Sequence, residues 1–315
     1  MYKRQLFCLS CSDDEQDSGT KQPTTAGEVT FGVDLTGFST RVTQDGSSWN
    51  DGDKIGTYVL DMKTLEPVTE AANVPYVCSE EGASVSFTST TPLKVQNDGT
   101  PVKFVAYYPY NADVRNFNYP VQLAAQERGS TACDLLYAAT KEEYTYSPEN
   151  EPHISLNFTH RLAKVILKFV NMEKEPLEVS DVRIEGMQTA ASFNIQTDVL
   201  TVDESSVATI NPYHNATTGF YEAIILPSAL TDSYKVSFVL DDREKEWIFT
   251  NLDIALPQFH KGYSYTFALY IDDSGFVEMG RLENVEGGNS SALWEDGSSE
   301  DGTAEGDKTP VSGYA

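Results

Sequence analysis

The feature that most constrains the fold of this chain is a succession of short segments in which apolar and polar residues alternate. The first has apolar residues at every second position: Val29, Phe31, Val33 and Leu35. A two-residue period predicts a strand with one buried face. Similar segments follow, and turn-forming pairs such as Asp51-Gly52 separate them. They cover residues 54–60, 84–89, 102–108, 153–158, 161–170, 177–186, 220–226, 234–240, 245–252 and 263–271.

Helical periodicity is weak throughout the sequence, and only Cys133–Thr140 could form one or two helical turns. Many short strands with turns between them predict an all-β protein built from sandwiches rather than an α/β fold. The 315 residues suffice for two domains of ordinary size. We predict an N-terminal β-sandwich at 28–150 and a C-terminal one at 151–292, because the prolines and glutamates of Tyr146–Pro152 interrupt the strand pattern.

The two ends of the chain differ from its middle in composition. Residues 293–315 hold too few apolar side chains to offset the entropy of ordering, which predicts a disordered C-terminal tail. Residues 12–27 form an acidic linker, which predicts a flexible N-terminal tether. Residues 1–11 have the composition of the remnant of a signal peptide.

The charge and the motif content exclude several function classes. A formal net charge of −26 would repel a nucleic acid or an anionic membrane surface, so no nucleic-acid partner is predicted. The sequence contains no G-x-S-x-G elbow, phosphate-cradling glycine loop or H-E-x-x-H helix. Its many carboxylates are not by themselves evidence for a glycosidase pair. We therefore predict a protein that is not an enzyme and requires no cofactor.

Two cysteines near the start of the chain, Cys8 and Cys11, allow three interpretations. A thioredoxin-type motif needs a helix N-terminus in a βαβ unit, and an acidic segment follows here instead. A zinc half-site needs a second Cys/His pair, whereas the other cysteines and histidines are scattered. The favoured interpretation is an export signal with basic Lys3 and Arg4, a short apolar stretch, and small Ser10 before the cleavage position.

That arrangement resembles a bacterial lipobox, which implies that Cys11 becomes the lipidated first residue of the mature protein. The acidic segment Ser12–Glu15 resembles the sorting tag of surface-exposed lipoproteins of Bacteroidetes. A lipid anchor in the outer membrane is therefore expected, since no stretch approaches the ~20 apolar residues of a membrane-spanning helix. Cys78 and Cys133 could pair in an oxidising compartment or simply be buried.

Several distinctive residues have a structural and a functional interpretation. Asn50–Asp53 carries oxygen ligands of a calcium loop but lacks its ordered acidic positions, so a hairpin turn that folds Trp49 inward is favoured and no metal site is predicted. His160 is expected to be a structural histidine at a strand end rather than a ligand or a base. The tyrosines of Tyr107–Tyr110 could stack on a sugar, but core or domain-interface packing is favoured.

Four motifs in a fixed order carry a resemblance to a known family. They are W-x-x-G-D-x-I-G-x-Y at Trp49–Tyr58, A-Y-Y-P-Y at Ala106–Tyr110, D-L-L-Y-A at Asp134–Ala138, and F-x-H-x-L-A-K-V at Phe158–Val165. The series resembles the Mfa-like fimbrillins of Bacteroidetes, the subunits and adhesive tips of type V pili. The resemblance implies two tandem transthyretin-like β-sandwiches, export as a lipoprotein, and assembly with other fimbrillin subunits by donor-strand exchange.

By the same resemblance, a protease specific for basic residues cuts after the first strand. Arg41 is the expected processing site, and Lys21 is the second choice because it precedes the strand. Removal of the strand would uncover a groove that an alternating strand of another copy fills. The strand at Tyr263–Ile271 is regular enough to complete its own sandwich, so the less regular Phe276–Val285 is the expected donor. Its candidate residues, on two parities, are Val277 and Met279, and Phe276 and Leu282.

The sequence leaves three functions open. The favoured one is a structural or tip subunit of a cell-surface fimbrium. The alternative is a surface lipoprotein that binds a host or bacterial glycan or protein without polymerising, for which an exposed aromatic platform and a retained first strand would be diagnostic. A surface hydrolase is the third and least favoured.

Overall fold

The computed structural model describes residues 26–34, 49–68, 72–82, 84–126, 129–149, 151–229, 233–240, 245–250, 258–271, 277–281 and 295–296. Within these ranges the chain forms strands and one short 3-10 segment, Ser130–Cys133, and no α-helix. The strands are β1 Ala26–Glu28, β2 Thr30–Asp34, β3 Lys54–Asp61, β4 Val74–Cys78, β5 Ser84–Thr88, β6 Lys94–Gln96, β7 Val102–Tyr108, β8 Asn118–Gln122, β9 Leu136–Ala139, β10 His153–Leu156, β11 Thr159–His160, β12 Ala163–Asn171, β13 Val179–Gln188, β14 Ala190–Asn194, β15 Val199–Val202, β16 Val207–Ile210, β17 Tyr213–Asn215, β18 Phe220–Ile225, β19 Lys235–Leu240, β20 Lys245–Thr250, β21 Tyr263–Ile271, β22 Val277–Arg281 and β23 Glu295–Asp296.

The first half of the chain forms an eight-stranded sheet in the order β10-β2-β5-β4-β3-β7-β9-β11. Only Asn157 and Phe158 separate β10 from β11, although these strands stand at opposite ends of the order. Strands lie ~4.8 Å apart, so a flat sheet would put its end strands roughly 33 Å apart. The three residue steps from Leu156 to Thr159 span at most ~11 Å. The sheet must therefore fold over on itself.

The folded sheet encloses the first core. Aromatic side chains fill much of its centre: Phe31, Trp49, Tyr76, Phe87, Phe104 and Phe158 are completely buried. Trp49 contacts the rings of Phe87 and Phe158 edge-on at 5.1 and 5.5 Å. The expected turn at Asp51-Gly52 is present, with Gly52 at a φ of 87°, and Trp49 lies inside as predicted.

The second half is a sandwich of two sheets. One has the order β17-β18-β12-β21-β22, with β23 also paired to β21, and the other has the order β16-β13-β19-β20. Val165, Leu167 and Phe169 of β12 enter the second core between the sheets, as their alternation predicted. In each half an early strand pairs in parallel with a late strand, β2 with β10 and β12 with β21.

A long bent hairpin joins the halves. Its base, β13 with β16, belongs to the second sandwich, and its outer part, β14 with β15, pairs with β8 of the first half. Tyr58, Leu60, Val105 and Tyr107 of the folded sheet pack there with Phe193 and Ile195 in a third core. The central strands β3 and β7 are thus buried on both faces.

Two details differ from the sequence-based expectations. Leu136–Ala139, within the proposed helical turns, is strand β9. Leu136 and Ala138 face the first core while Leu135 and Tyr137 face the third, so burial on both sides hides the two-residue period. The expected boundary at 150/151 precedes β10 and β11, which pair within the first sheet. The prolines of Tyr146–Pro152 mark a loop before the last strands of that sheet rather than a linker after them.

Candidate functional site

In the first described segment, residues 26–34, strand β2 pairs with strands on both sides and does not lie at a sheet edge. Residues 26–28, as β1, pair with β6, and residues 30–34, as β2, lie between antiparallel β5 and parallel β10. The segment therefore changes sheets at Val29. We call the space that residues 26–34 fill, bounded by β5, β6 and β10, the first-strand slot. Emptying it would leave edges of three strands without their partner.

The inward side chains of this segment are buried. Val29 and Phe31 are 0% exposed and Val33 is 1% exposed. The Phe31 ring lies edge-on to Tyr76 at 4.8 Å and to Phe104 at 5.8 Å. At ~1.5–3 kcal/mol for each large apolar side chain, this burial contributes roughly 4–9 kcal/mol before ordering costs. Leu35, the fourth predicted member of the strand, lies outside the described residues.

Tyr76 fixes the point where the segment changes sheets. Its hydroxyl donates to the Val29 carbonyl at 3.0 Å and accepts from the Leu93 amide at 2.8 Å. The Val29 amide donates to the Leu93 carbonyl at 2.9 Å. Burial raises the pKa of Tyr76 to about 12, so the hydroxyl is neutral at physiological pH and fills both roles. The crossing therefore has a defined hydrogen-bond pattern that an occupant must match.

Two glycines of the segment lie directly against side chains of neighbouring elements. A Cβ on Gly27 would stand 2.5 Å from Tyr146 Cε2 and 2.7 Å from Pro152 Cγ. A Cβ on Gly32 would stand 2.6 Å from His153 Nε2. The Thr30 hydroxyl holds the His153 ring over Gly32 through a 3.0 Å contact with Nδ1. Real Cβ atoms do not approach so closely, so both positions are closed to a side chain unless a neighbour moves.

The expected donor segment is only partly described. Val277 and Met279 lie in β22, where they are register partners of Ile271 and Leu269 of β21. Strand β21 lies between β12 and β22, which confirms that Tyr263–Ile271 completes its own sheet. Phe276 and Leu282 lie outside the described residues, as do Cys11 and both processing candidates, Arg41 and Lys21.

The aromatic residues considered as a sugar platform pack inside the protein. Tyr107 is fully buried, and its hydroxyl donates to Asn73 Oδ1 at 2.6 Å. Tyr108 is 9% exposed and meets Trp49 edge-on at 5.4 Å, while Tyr110 packs against the third core. The interpretation of these tyrosines as core and interface residues is confirmed.

The polar residues that stood out in the sequence make structural contacts. His160 is buried, with Nδ1 2.9 Å from Asp134 Oδ1, as expected for a structural histidine. Asp53 accepts from the Asn50 amide at 2.7 Å within the hairpin turn. No cluster of three or more His, Cys, Asp or Glu residues suited to a metal ion occurs in the described part of the chain.

Cys78 and Cys133 are free thiols that belong to different cores. Burial raises the pKa of both thiols, which keeps them protonated and poorly reactive at neutral pH. The described residues contain no helix that is long and apolar enough to cross a membrane.

Sequence patterns did not predict the role of Gln126, which adds a hydrogen-bonded link between the two halves. Gln126 is 1% exposed, and its amide oxygen accepts from the Ile224 amide while its nitrogen donates to the Ile224 carbonyl, both at 2.7 Å. The nitrogen also donates to the Leu123 carbonyl at 2.7 Å. Nothing in the local sequence distinguishes this glutamine from an exposed one, because its partner is 98 residues away.

Comparisons with known proteins agree with this architecture. The model of the family described as "Fimbrillin-like" matches residues 40–289. No curated protein sequence matches the chain significantly. A solved structure from Bacteroides uniformis, assigned to cell adhesion, is similar with a TM-score of 0.66 and 23% identity over 83% of this chain and 97% of that one. Two others assigned to cell adhesion, from Bacteroides ovatus and Bacteroides fragilis, give TM-scores of 0.61 and 0.51 at 16% and 14% identity, covering 82% of this chain and 97% and 99% of theirs.

Proposed function

Because the chain belongs to the fimbrillin-like family, we propose that it is a structural or tip subunit of a cell-surface fimbrium that assembles by strand exchange and contributes to adhesion. Membership of this family supports a fimbrial or adhesive role at the cell surface and a non-enzymatic function. The observation that carries the assembly proposal is the interior position of β2 between β5 and β10. Loss of residues 26–34 would leave β5, β6 and β10 with open edges, to which a strand of another copy could add.

Maturation would begin with lipid attachment at Cys11 and end with a cut after Arg41 by a protease specific for basic residues. Arg41 lies between the end of β2 at Asp34 and the bridge residue Trp49, so a cut there separates the segment that fills the slot from the rest of the chain. Sequencing the N-terminus of the filament protein tests this, and a start well upstream of Val42 contradicts it. Palmitate labelling of the chain with a complete signal peptide should be lost in Cys11→Ser, and equal labelling would exclude lipidation there.

The exchange itself can be tested by removing the donor region. The chain truncated after Asp273 keeps β12 and β21, the parallel pair at the centre of its sheet, and loses the edge strand β22. We expect it to fold and reach the cell surface but to form no filaments in electron micrographs. Filaments indistinguishable from those of the full chain would place the donor elsewhere.

The rival function is a surface lipoprotein that binds a glycan or a host protein without polymerising. It predicts that ligand binding survives the same truncation and that even the full chain forms no filaments. The burial of Tyr107 and Tyr108 speaks against the exposed aromatic platform that would be diagnostic of this alternative. The fimbrial subunit is therefore the better supported function.

A further inference from the structure

The first-strand slot restricts which side chain its occupant can carry at each register. The registers of Gly27 and Gly32 admit no side chain without movement of Tyr146, Pro152 or His153. Between them, the registers of Val29 and Phe31 lie in the first core. The slot thus accepts a glycine, apolar residues two and four positions later, and a second glycine at the fifth position.

The two glycine registers differ in how strongly they exclude a side chain. Pro152 is buried and Tyr146 packs against the first core, so little room exists to admit a Cβ at the Gly27 register. His153 is exposed and can turn away from Gly32 if its contact with Thr30 is given up. A side chain at the first register should therefore be excluded more strongly than one at the second.

Few segments of the chain meet this pattern. Glycines stand five positions apart in four places, at 27/32, 32/37, 275/280 and 297/302. Apolar residues occupy both the second and the fourth following positions only at 27/32 and at 275/280. Gly275-Phe276-Val277-Glu278-Met279-Gly280 therefore repeats the features of Gly27-Glu28-Val29-Thr30-Phe31-Gly32 on which the slot depends.

We propose that residues 275–280 of a second copy fill registers 27–32 of the slot of one copy in this single alignment, an inference that rests on the strand exchange proposed above. Gly275 takes the register of Gly27, Val277 that of Val29, Met279 that of Phe31 and Gly280 that of Gly32. The segment runs in the direction of β2, antiparallel to β5 and parallel to β10. Glu278 then lies at the register of Thr30, beside the His153 ring.

The fold leaves this segment available. Residues 277–281 form β22, which pairs with β21 and with no other strand of the described chain. Its withdrawal leaves the β12 and β21 pairing untouched. The match ends at Gly280, because Arg281 would take the register of Val33, which is 1% exposed. In this alignment Phe276 takes the position of Glu28, which is exposed, and does not face the core.

Thermal unfolding of the full-length chain first tests whether the two glycine registers exclude a side chain. Gly27→Val and Gly32→Val should each lower the Tm by roughly 4 °C or more. Adding His153→Ala should restore the Tm of Gly32→Val and leave that of Gly27→Val low. An unchanged Tm in Gly27→Val would overturn the proposed pattern, as would a Gly32→Val loss that His153→Ala does not relieve.

The register is then tested between copies. The full chain is cut by a protease specific for arginine, and its polymers are quantified by sedimentation and electron microscopy. Gly275→Val and Gly280→Val should each reduce polymer by roughly tenfold or more, and His153→Ala should restore assembly only to Gly280→Val. Phe276→Ser, at an exposed register, is the matched control and should assemble normally.

The possible results distinguish a wrong register from a failure of the strand exchange on which the register rests. If the unmodified chain assembles and the Gly275→Val chain assembles equally well, the register is wrong while strand exchange stands. If Phe276→Ser blocks assembly, the opposite parity faces the core and the register is again wrong. If the unmodified chain forms no polymer after the cut, strand exchange fails and the register fails with it.

Discussion

At the scale of single residues, Gly56 shows how closely the buried faces pack. A Cβ at this position would overlap Cε1 of the Tyr107 ring, and the Tyr107 hydroxyl is held by Asn73 Oδ1 at 2.6 Å and by the Asn111 carbonyl at 3.1 Å. The ring lies in the third core and has no solvent on either side into which it could move. The glycine is therefore required by its neighbour rather than by its own backbone conformation.

We predict that Gly56→Ala lowers the free energy of unfolding by about 1–3 kcal/mol, the usual cost of overpacking a filled core. Urea denaturation followed by circular dichroism measures the change. Gly82→Ala is the matched control, because its Cβ would meet its nearest neighbour, Val85 Cγ1, at an ordinary 3.5 Å. Similar losses in the two variants would contradict the assignment of the effect to Tyr107.

At the scale of elements, the connection after β8 joins the halves more specifically than the apolar contacts do. Strand β8 adds to β14, and three residues beyond Leu123 the Gln126 amide bonds both backbone groups of Ile224 in β18. The side-chain amide occupies the place that a neighbouring strand would take. The same amide also donates to the Leu123 carbonyl. A buried amide that satisfies three backbone groups is costly to remove, since all three lose this partner.

Gln126→Leu should therefore lower the free energy of unfolding by about 2–4 kcal/mol, although it adds no charge and little volume. The measurement is again denaturant unfolding, with circular dichroism recorded across the transition. Gln122→Leu serves as the control, because Gln122 is exposed on β8 and should change stability by less than about 0.5 kcal/mol. Equal stability of the Gln126→Leu chain would mean that the third core alone holds the halves together.

At the scale of the whole molecule, the first and third cores contain many buried or partly buried tyrosines. Burial raises the pKa of Tyr58, Tyr76, Tyr119 and Tyr137 to about 12, and it raises the pKa of Tyr107 and Tyr108 further. An unfolded tyrosine ionises near pH 10, so the folded state holds these protons more tightly than the unfolded state. Their contribution is complete below about pH 10 and is lost as the pH rises toward 12.

We expect the stability of the full chain to fall steeply in that alkaline window, as measured by urea unfolding at a series of pH values. The ultraviolet absorbance of tyrosinate should rise together with unfolding rather than before it. Tyr76→Phe should be less stable at neutral pH, because the Val29 carbonyl and the Leu93 amide lose their partner, yet its stability should depend less on alkaline pH. Tyrosine ionisation well before unfolding would refute the burial argument.

The sequence predicted much of the fold because the signals involved are local. The alternation at Val29, Phe31 and Val33 reflects an extended segment with one buried side, and the Asp51-Gly52 pair reflects one tight turn. Burial on both faces removed the same signal from Leu135–Ala138, where the strand was not recognised. The sequence likewise predicted the apolar side of the first-strand slot. It did not predict the outer side, which Gly27, Gly32 and His153 form.

By itself the sequence determined that this chain is an all-β protein, where most of its strands lie and which faces are buried, since the two-residue period is a property of each strand alone. Only the tertiary structure decided that β2 lies inside a sheet, between strands that begin 54 and 123 residues later, and that a glutamine closes the contact between the halves. Pairing partners are chosen by the summed packing of distant segments. No single segment carries that information.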